Sequence, residues 1–495
     1  MFGTAFRQLR YSTAILRNRR IRPADLERIA RDLIETLAEF GEPGEDSVLL
    51  PGQSGAVDPA VRRTVTTRSL RATARAAARS TPYYRQVFES LALAPDTLTP
   101  ETWRQVPVTP KSALRGLPAA FVSAASAPSL MALTTGTSGT PTTVWYSRAE
   151  VEIMVALSTV SAVLGMGLRP RHAVAYAGCS RATLPLLNVV ESVTRIGAAF
   201  VQLGTVEPAV ALDRLATPLG LRGKAPQITH LTVSASYLSA LVEEAEQYGW
   251  QAGDFGLESV GVGGEVLSEP LRRRAEEVFG ARVTSSYMMT ETVPSGGTPC
   301  DAGHLHHTTE FGHLEVLDPE TYEPTPPGEV GVIVQTPYVP YRECTLLLRY
   351  DTGDLVRLPE TPPECALAHM PATSPILGRW SGPVSRTVTT RSLLDLLEAE
   401  REVPLPARYA LEERPGGPPL LHVLTRRGSA AGSPGKAGLL GRLEDRATAA
   451  GLALGAVVLH DDPAGLPPVN PVRADLREHT FEPARPAAAP LGSPA

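Results

Sequence analysis

Two patterns in the chain predict an α/β protein with a large N-terminal domain and a small, mobile α+β C-terminal domain. Short apolar runs alternate with helix-like runs between residues 148 and 286, and that rhythm changes after Arg379. Length agrees, since 495 residues exceed what one hydrophobic core serves. The expected division is residues 1–378, residues 379–482 and a tail at 483–495.

Taken in order, residues 23–40 place Leu26, Ile29, Ala30, Leu33, Ile34 and Leu37 on one helical face, with Asp25 in the first turn. Residues 41–60 are rich in Gly, Pro, Asp and Ser and predict a loop. An Arg- and Ala-dense helix follows at 61–79, and a helix of small apolar residues at 148–166. Strands are predicted at 173–177, 198–203, 227–233, 260–262 and 282–286, with a helix at 269–279. Segments 312–317 and 331–336 predict antiparallel strands. Beyond Arg379, strands at 407–413, 420–425 and 456–460 with a helix at 437–450 predict the small α+β unit, which has the size of a separate lid. The Pro- and Ala-rich tail predicts disorder.

Composition narrows the class. Hydrophobic residues make up 43% and charged residues 20%, as in ordinary globular proteins, and the net charge of −5 gives no reason to expect nucleic acid or an anionic membrane as partner. Cys179, Cys300, Cys344 and Cys365 are too few for a disulfide scaffold, so a reducing, cytoplasmic setting is expected. The basic N-terminus lacks an apolar core, so no signal peptide is expected, and no apolar run is long enough to predict a membrane span. Only Lys111, Lys224 and Lys436 supply lysine, which restricts the choice of a catalytic ammonium group.

The most informative segment is Thr134-Thr135-Gly136-Thr137-Ser138-Gly139-Thr140-Pro141-Thr142. Six of its nine residues carry a hydroxyl, and its two glycines free the backbone to curl so that amides and hydroxyls converge on an anion. It is no Walker A loop, because Gly-x-x-x-x-Gly-Lys-Ser/Thr is missing from the chain. The helix expected at 148 places this loop near a helix N-terminus, where the dipole favours an anion.

The loop resembles the phosphate-binding loop of the adenylate-forming superfamily, and other segments bring the phenylacetate-CoA ligase branch to the fore. Thr81-Pro82-Tyr83-Tyr84-Arg85 is similar to its Pro-Tyr-Tyr-Arg segment, and Val106-Pro107-Val108-Thr109-Pro110-Lys111 to its Pro-Leu-Thr-Thr-Lys segment. Gly263-Gly264-Glu265, Ser286-Tyr287-Met288-Met289-Thr290-Glu291, Arg349-Tyr350-Asp351-Thr352-Gly353-Asp354 and Gly378-Arg379 follow in family order. The resemblance covers roughly residues 80 to 475, and ordered co-occurrence is far more specific than any single match.

The resemblance implies ATP, Mg²⁺ and CoA as reactants. Glu291 would hold the Mg²⁺ of MgATP and Thr290 would contact the α-phosphate, work suited to a carboxylate beside polyphosphate. Asp354 would accept from both ribose hydroxyls, because an ionised carboxylate is acceptor-only. Arg379, at the expected hinge, would contact ribose or phosphate. Residues Thr134 to Gly139, Gly264, Glu265 and Tyr287 would complete the nucleotide site.

Three departures bear on the chemistry. Met288 stands where the family places glycine and would fill part of the acyl pocket. Thr142 replaces a lysine common after the loop's proline. Asn470, in Val469-Asn470-Pro471-Val472-Arg473, replaces the late lysine that bridges carboxylate and α-phosphate. Losing one preorganised transition-state donor costs on the order of 10²–10³ in rate, which directs attention to Arg473 or another residue as substitute. A structural Zn²⁺ site is also implied: some ligases of this branch hold zinc here, and Cys300, Cys365, His369 and one of His304 or His306 would give a tetrahedral S/N set.

The function expected is therefore ATP-dependent activation of an acid, aromatic in the closest likeness, followed by transfer to CoA or a carrier protein. The alternative keeps the adenylate but changes the acceptor to nitrogen, as in an ATP-dependent diazotase that activates nitrite for an aryl amine. A third reading is a nucleotide-binding relative without turnover. A monomer or homodimer is expected in each case.

Overall fold

The computed structural model describes residues 2–40, 59–134, 141–178, 183–414, 416–426, 434–462, 464 and 466. The predicted loop at 41–60, most of the phosphate-loop tip, Asn470 and Arg473, and the tail fall largely or wholly outside that range. Five helices open the chain: α1 (Phe2–Leu16), α2 (Pro23–Phe40), α3 (Pro59–Ser80), α4 (Pro82–Ser90) and α5 (Lys111–Gly116). The stripe predicted for α2 is the buried face, with Leu26, Ile29 and Ala30 buried and Leu33, Ile34 and Leu37 packed on a second cluster. Helix α3 buries Leu70, Thr73, Ala74 and Ala77 and turns its arginines outward.

Hairpin β1 (Pro128–Leu133) and β2 (Thr143–Ser147) leads into α6 (Arg148–Gly165). Then come β3 (Ala173–Ala177), α7 (Thr183–Ile196), β4 (Ala199–Gln202), α8 (Pro208–Ala216), β5 (His230–Val233), α9 (Ala235–Tyr248), β6 (Ser259–Val262), α10 (Glu269–Phe279) and β7 (Arg282–Ser285). The five strands form one parallel sheet in the order β4-β3-β5-β6-β7. All five residues of β3 are buried, as a parallel strand covered on both faces requires. Leu231, Val233 and Val260 from the sheet and Leu238, Leu241 and Leu271 from its helices share one core cluster.

Two antiparallel sheets follow. Strands β8 (Tyr287–Met288), β9 (Gly296–Pro299) and β10 (Leu305–His307) pair in succession, with a later strand on the far side of β10, while β11 (Gly312–Leu317), β12 (Val330–Pro337) and β13 (Tyr350–Arg357) form a meander. Strand β14 (Ala372–Thr373) completes the first sheet and β15 (Gly378–Arg379) the second. The short strands β8 to β10 and β14 escaped sequence reading because each carries too few residues to show alternation.

After β15 the chain forms α11 (Val384–Thr387), α12 (Thr390–Leu397), β16 (Tyr409–Arg414), β17 (Gly417–Leu424), α13 (Pro434–Ala449) and β18 (Ala456–His460). The β17–β18 pair is parallel with α13 as its crossover, and β16 lies antiparallel on the other side. The core of this unit includes Leu393, Leu397, Tyr409, Leu421, Val423 and Leu443, together with Val266 from before α10. Polar contacts tie it to the parallel-sheet region: Arg401 reaches Glu246 at 2.5 Å, Arg274 donates to the Glu398 carbonyl at 3.1 Å, and the Leu405 amide donates to Glu243 at 3.1 Å.

Candidate active site

The segment before α5 explains how distant motifs meet. The Thr109 amide donates to the Arg349 carbonyl at 2.8 Å, and the Asp351 amide donates to the Thr109 carbonyl at 3.0 Å. Residue 109 thus zips against the start of β13. Buried Tyr84 secures the junction: its hydroxyl lies 2.8 Å from Thr109 Oγ1 and accepts from the Leu348 amide at 2.7 Å. Arg349 adds a clamp, donating to the carbonyls of Arg104 and Val106 at 3.1 and 2.8 Å and to Glu315 at 3.0 Å. The Pro-Tyr-Tyr-Arg-like segment and the arginine of the Arg-Tyr-Asp-Thr-Gly-Asp segment therefore act as scaffold.

This register delivers Lys111, the first residue of α5, to Glu291. Its Nζ lies 2.9 Å from Glu291 Oε1, on a carboxylate that is 2% exposed. The Tyr350 hydroxyl donates to the same oxygen at 3.2 Å. Sequence reading quoted Lys111 and Tyr350 within motifs but gave neither a role. The scarcity of lysine was the one signal available.

Asp354 sits on β13, buried, two residues beyond Thr352. Its Oδ2 accepts from the Tyr287 hydroxyl at 2.9 Å, and its Oδ1 lies 3.3 Å from Arg379 Nε. Pairing of β13 with β15 sets that contact by placing Asp354 opposite Arg379. Burial pushes the Asp354 carboxyl above its ordinary range, while Arg379, Lys111 and the Tyr287 hydroxyl pull it back. The same pair raises the Arg379 guanidinium. Glu291 also repels Asp354, so the two acids share one electrostatic neighbourhood, balanced by one lysine and one arginine.

Thr290 is anchored from below. The Tyr146 hydroxyl donates to its carbonyl, and the Arg342 guanidinium stacks 4.1 Å from the Tyr146 ring centroid. Arg342 lies 3.5 Å from Glu150, whose Oε1 accepts the amides of Glu343 and Cys344 at 2.8 and 3.1 Å. Glu150 also closes the capping box at Ser147. A buried polar chain thus runs from the start of α6 to Thr290.

A cavity of about 560 Å³ opens beside these groups, lined among others by Gly264, Tyr287, Met288, Asp354 and Arg379. Gly264 adopts φ +80°, a conformation costly for a side-chain-bearing residue, so it turns the backbone along the cavity wall. Glu265 lines the same cavity. Both its carboxylate oxygens are engaged by Ser236, at 2.6 Å from the amide and 3.0 Å from Oγ, so it caps the first turn of α9 and shapes the wall. Met288 is half exposed and lines this same cavity beside Tyr287 and Asp354.

Of the phosphate loop, Thr134, Pro141 and Thr142 are described, while Thr135, Gly136, Thr137, Ser138 and Gly139 lie outside the described residues. Its neck is the β1–β2 hairpin, closed where the Thr134 amide donates to the Thr142 carbonyl at 3.1 Å and the Thr142 amide donates to Thr134 Oγ1 at 2.9 Å. The helix N-terminus expected near the loop concerns residues that lie outside those described; only the path from the described Thr142 to α6 is seen. The five residues of β2 intervene, which in extended form span about 17 Å.

The Cys/His expectation is partly realised. Ligand atoms of Cys300, His304, His306 and Cys365 lie within 4.8 Å of one another. Cys365 Sγ is 3.2 Å from His306 Nε2, and Cys300 Sγ is 3.6 Å from His304 Nδ1. Both histidines join, and His369 does not belong to this group. The reason is local: residues 366–369 form turns rather than a helix, so the four-residue spacing from Cys365 does not bring His369 back to the same point.

Among the described residues no helix is long and apolar enough to cross a membrane. The model of the AMP-binding enzyme family matches residues 61–337, more than half of the chain. The phenylacetate-coenzyme A ligase of Thermus thermophilus is 29% identical over 312 residues, covering 60% of this chain and 66% of that protein. That of Pseudomonas putida is 28% identical over 288 residues, covering 56% and 62%. The match therefore spans less than two thirds of either relative. A 2-hydroxyisobutyryl-CoA ligase crystallised in the postadenylation state with 2-HIB-AMP has the same fold, with a TM-score of 0.69 at 21% identity over 85% of this chain and 90% of that one. The same ligase with 2-HIB-AMP and CoA in the thioesterification state gives 0.58 at 21% identity, over 85% and 91%. With ordered motifs, fold and family model in agreement, the chain belongs to the AMP-binding enzyme family, on its phenylacetate-CoA ligase-like branch.

Proposed function

We propose that the protein activates a carboxylic acid with ATP, forming an acyl-adenylate, and passes the acyl group to a thiol such as that of CoA. The observation that carries this reading is the pair of buried acids, Glu291 and Asp354, each matched by one cation beside a cavity large enough for a nucleotide portion. An acid oxygen attacks the α-phosphorus, the bond to the bridging oxygen breaks, and pyrophosphate leaves with the electron pair. A thiolate then attacks the acyl carbon and AMP departs. Asp354 accepts from the ribose hydroxyls, Thr290 faces the α-phosphate and Arg379 steadies the nucleotide. The acid is aromatic in the reading the curated relatives favour, and both are named as coenzyme A ligases, which favours a thiol over a nitrogen acceptor. The unit after Arg379 acts as the lid between the two half-reactions.

Glu291 suits Mg²⁺, a hard cation that takes few protein oxygens and the rest from phosphate and water, and that neutralises charge on the polyphosphate. The Cys300, His304, His306 and Cys365 set suits a structural Zn²⁺. With Zn–S and Zn–N bonds near 2.3 and 2.0 Å, tetrahedral S–N edges fall at roughly 3.5 Å, and the two observed edges are 3.2 and 3.6 Å.

The test is acid-dependent release of AMP and pyrophosphate with phenylacetate, benzoate and 2-hydroxyisobutyrate, followed by thioester formation with CoA. ATP turnover indifferent to every acid, or AMP formed only with nitrite and an aryl amine, would reject the assignment.

A further inference from the structure

Joining an acid to ATP brings two anions together, so the reacting atoms need a positive charge between them. Among the described residues, Lys111 and Arg379 are the two cations held against the Glu291–Asp354 pair. Arg379 is committed to Asp354 by strand register. Lys111 is held differently. Its backbone is fixed by the Thr109–Asp351 and Thr109–Arg349 hydrogen bonds, whereas its side chain makes its ion pair with Glu291 at the end of four flexible methylenes. An ammonium carries three donors and delivers them as a compact point charge. Of the other two lysines, Lys224 donates to the carbonyls of Pro170 and Gly197, away from this site. Lys436 starts far along the C-terminal unit, in α13. Asn470, a neutral amide, offers no charge.

Resting on the function proposed above, we infer that Lys111 is a catalytic residue of acid activation: its ammonium contacts the incoming carboxylate and the α-phosphate as the new O–P bond forms. No proton moves in this step; Lys111 stays protonated while pyrophosphate takes the electron pair. The second half-reaction, in which the anhydride is already made, does not need it.

The full-length protein would be compared with K111M, K111R and N470A using MgATP and the same three probe acids. Three readouts are needed: single-turnover AMP formation, ATP affinity by calorimetry, and thioester formation from a supplied synthetic acyl-adenylate and CoA. K111M is expected to slow AMP formation 10²- to 10³-fold with ATP affinity and thioester formation within threefold of the parent. K111R should recover at least tenfold over K111M, and N470A should stay within threefold of the parent in all three. AMP formation by K111M within threefold of the parent overturns the inference while the proposed function stands. Equal losses in all three readouts with a lowered melting temperature overturn it as well, since they mark Lys111 as scaffold. If the parent forms no AMP with any acid, the proposed function fails and the inference falls with it.

Discussion

Replacing Asp354 by Asn separates binding from folding at the centre of the site. The side chains are nearly isosteric, and the amide oxygen can still accept from Tyr287, now at 2.9 Å from the carboxylate. What disappears is the charge and one acceptor directed at the ribose. A hydrogen bond to a charged group contributes about 1.5–3 kcal/mol, so ATP affinity should fall roughly 10- to 100-fold. Stability should move the other way. Burial raises the folded-state pKa of Asp354 above 3.8, its ordinary value. Its contribution to stability is therefore fully present below that value and lost as pH rises through the raised pKa. At neutral pH the ionised, buried carboxylate is a net cost, and Asn removes it. Arg379, with a side chain 40% exposed, can turn to water when its partner becomes neutral. Calorimetric titration with ATP and thermal unfolding at pH 4 and pH 7.5 read both effects. The variant should melt no lower than the parent at pH 7.5 and gain on it between the two pH values. Unchanged ATP affinity would refute the ribose role, and a melting temperature lowered at pH 7.5 would refute the burial argument.

Other outcomes follow from the same contacts. Y84F removes the hydroxyl shared by Thr109 and the Leu348 amide and leaves that amide unpaired, so it should cost about 1–3 kcal/mol in urea unfolding and lower AMP formation through the Lys111 segment. E150A strips the partner from Arg342, which is 1% exposed. Breaking a buried pair costs about 3–5 kcal/mol, so poor soluble yield or a clear drop in melting temperature should result. C365S should cut the zinc content of purified protein, measured by atomic emission, from one equivalent to well below half. H369A should leave it unchanged.

The parts of the fold legible in sequence are those where pattern and burial coincide. The amphipathic stripe of α2 and the continuous apolar β3 announce their faces, because a helix must bury one side and a covered parallel strand both. Glu291, Asp354, Tyr287 and Arg379 were found through motif order, and the structure gathers them. Lys111 and the Glu150–Arg342–Tyr146 chain were not found, since residues 111 and 291, or 150 and 342, become neighbours only through strand register and packing.

The amino-acid order alone thus settled the fold class and the chain position of each acid, because periodicity and motif spacing are local properties. Three-dimensional packing settled which cation faces which acid, that Glu265 serves a helix start, and that His304 rather than His369 joins the thiols. Those outcomes depend on distances between segments far apart in the chain, set by β-sheet register and buried hydrogen bonds, which no local spacing encodes.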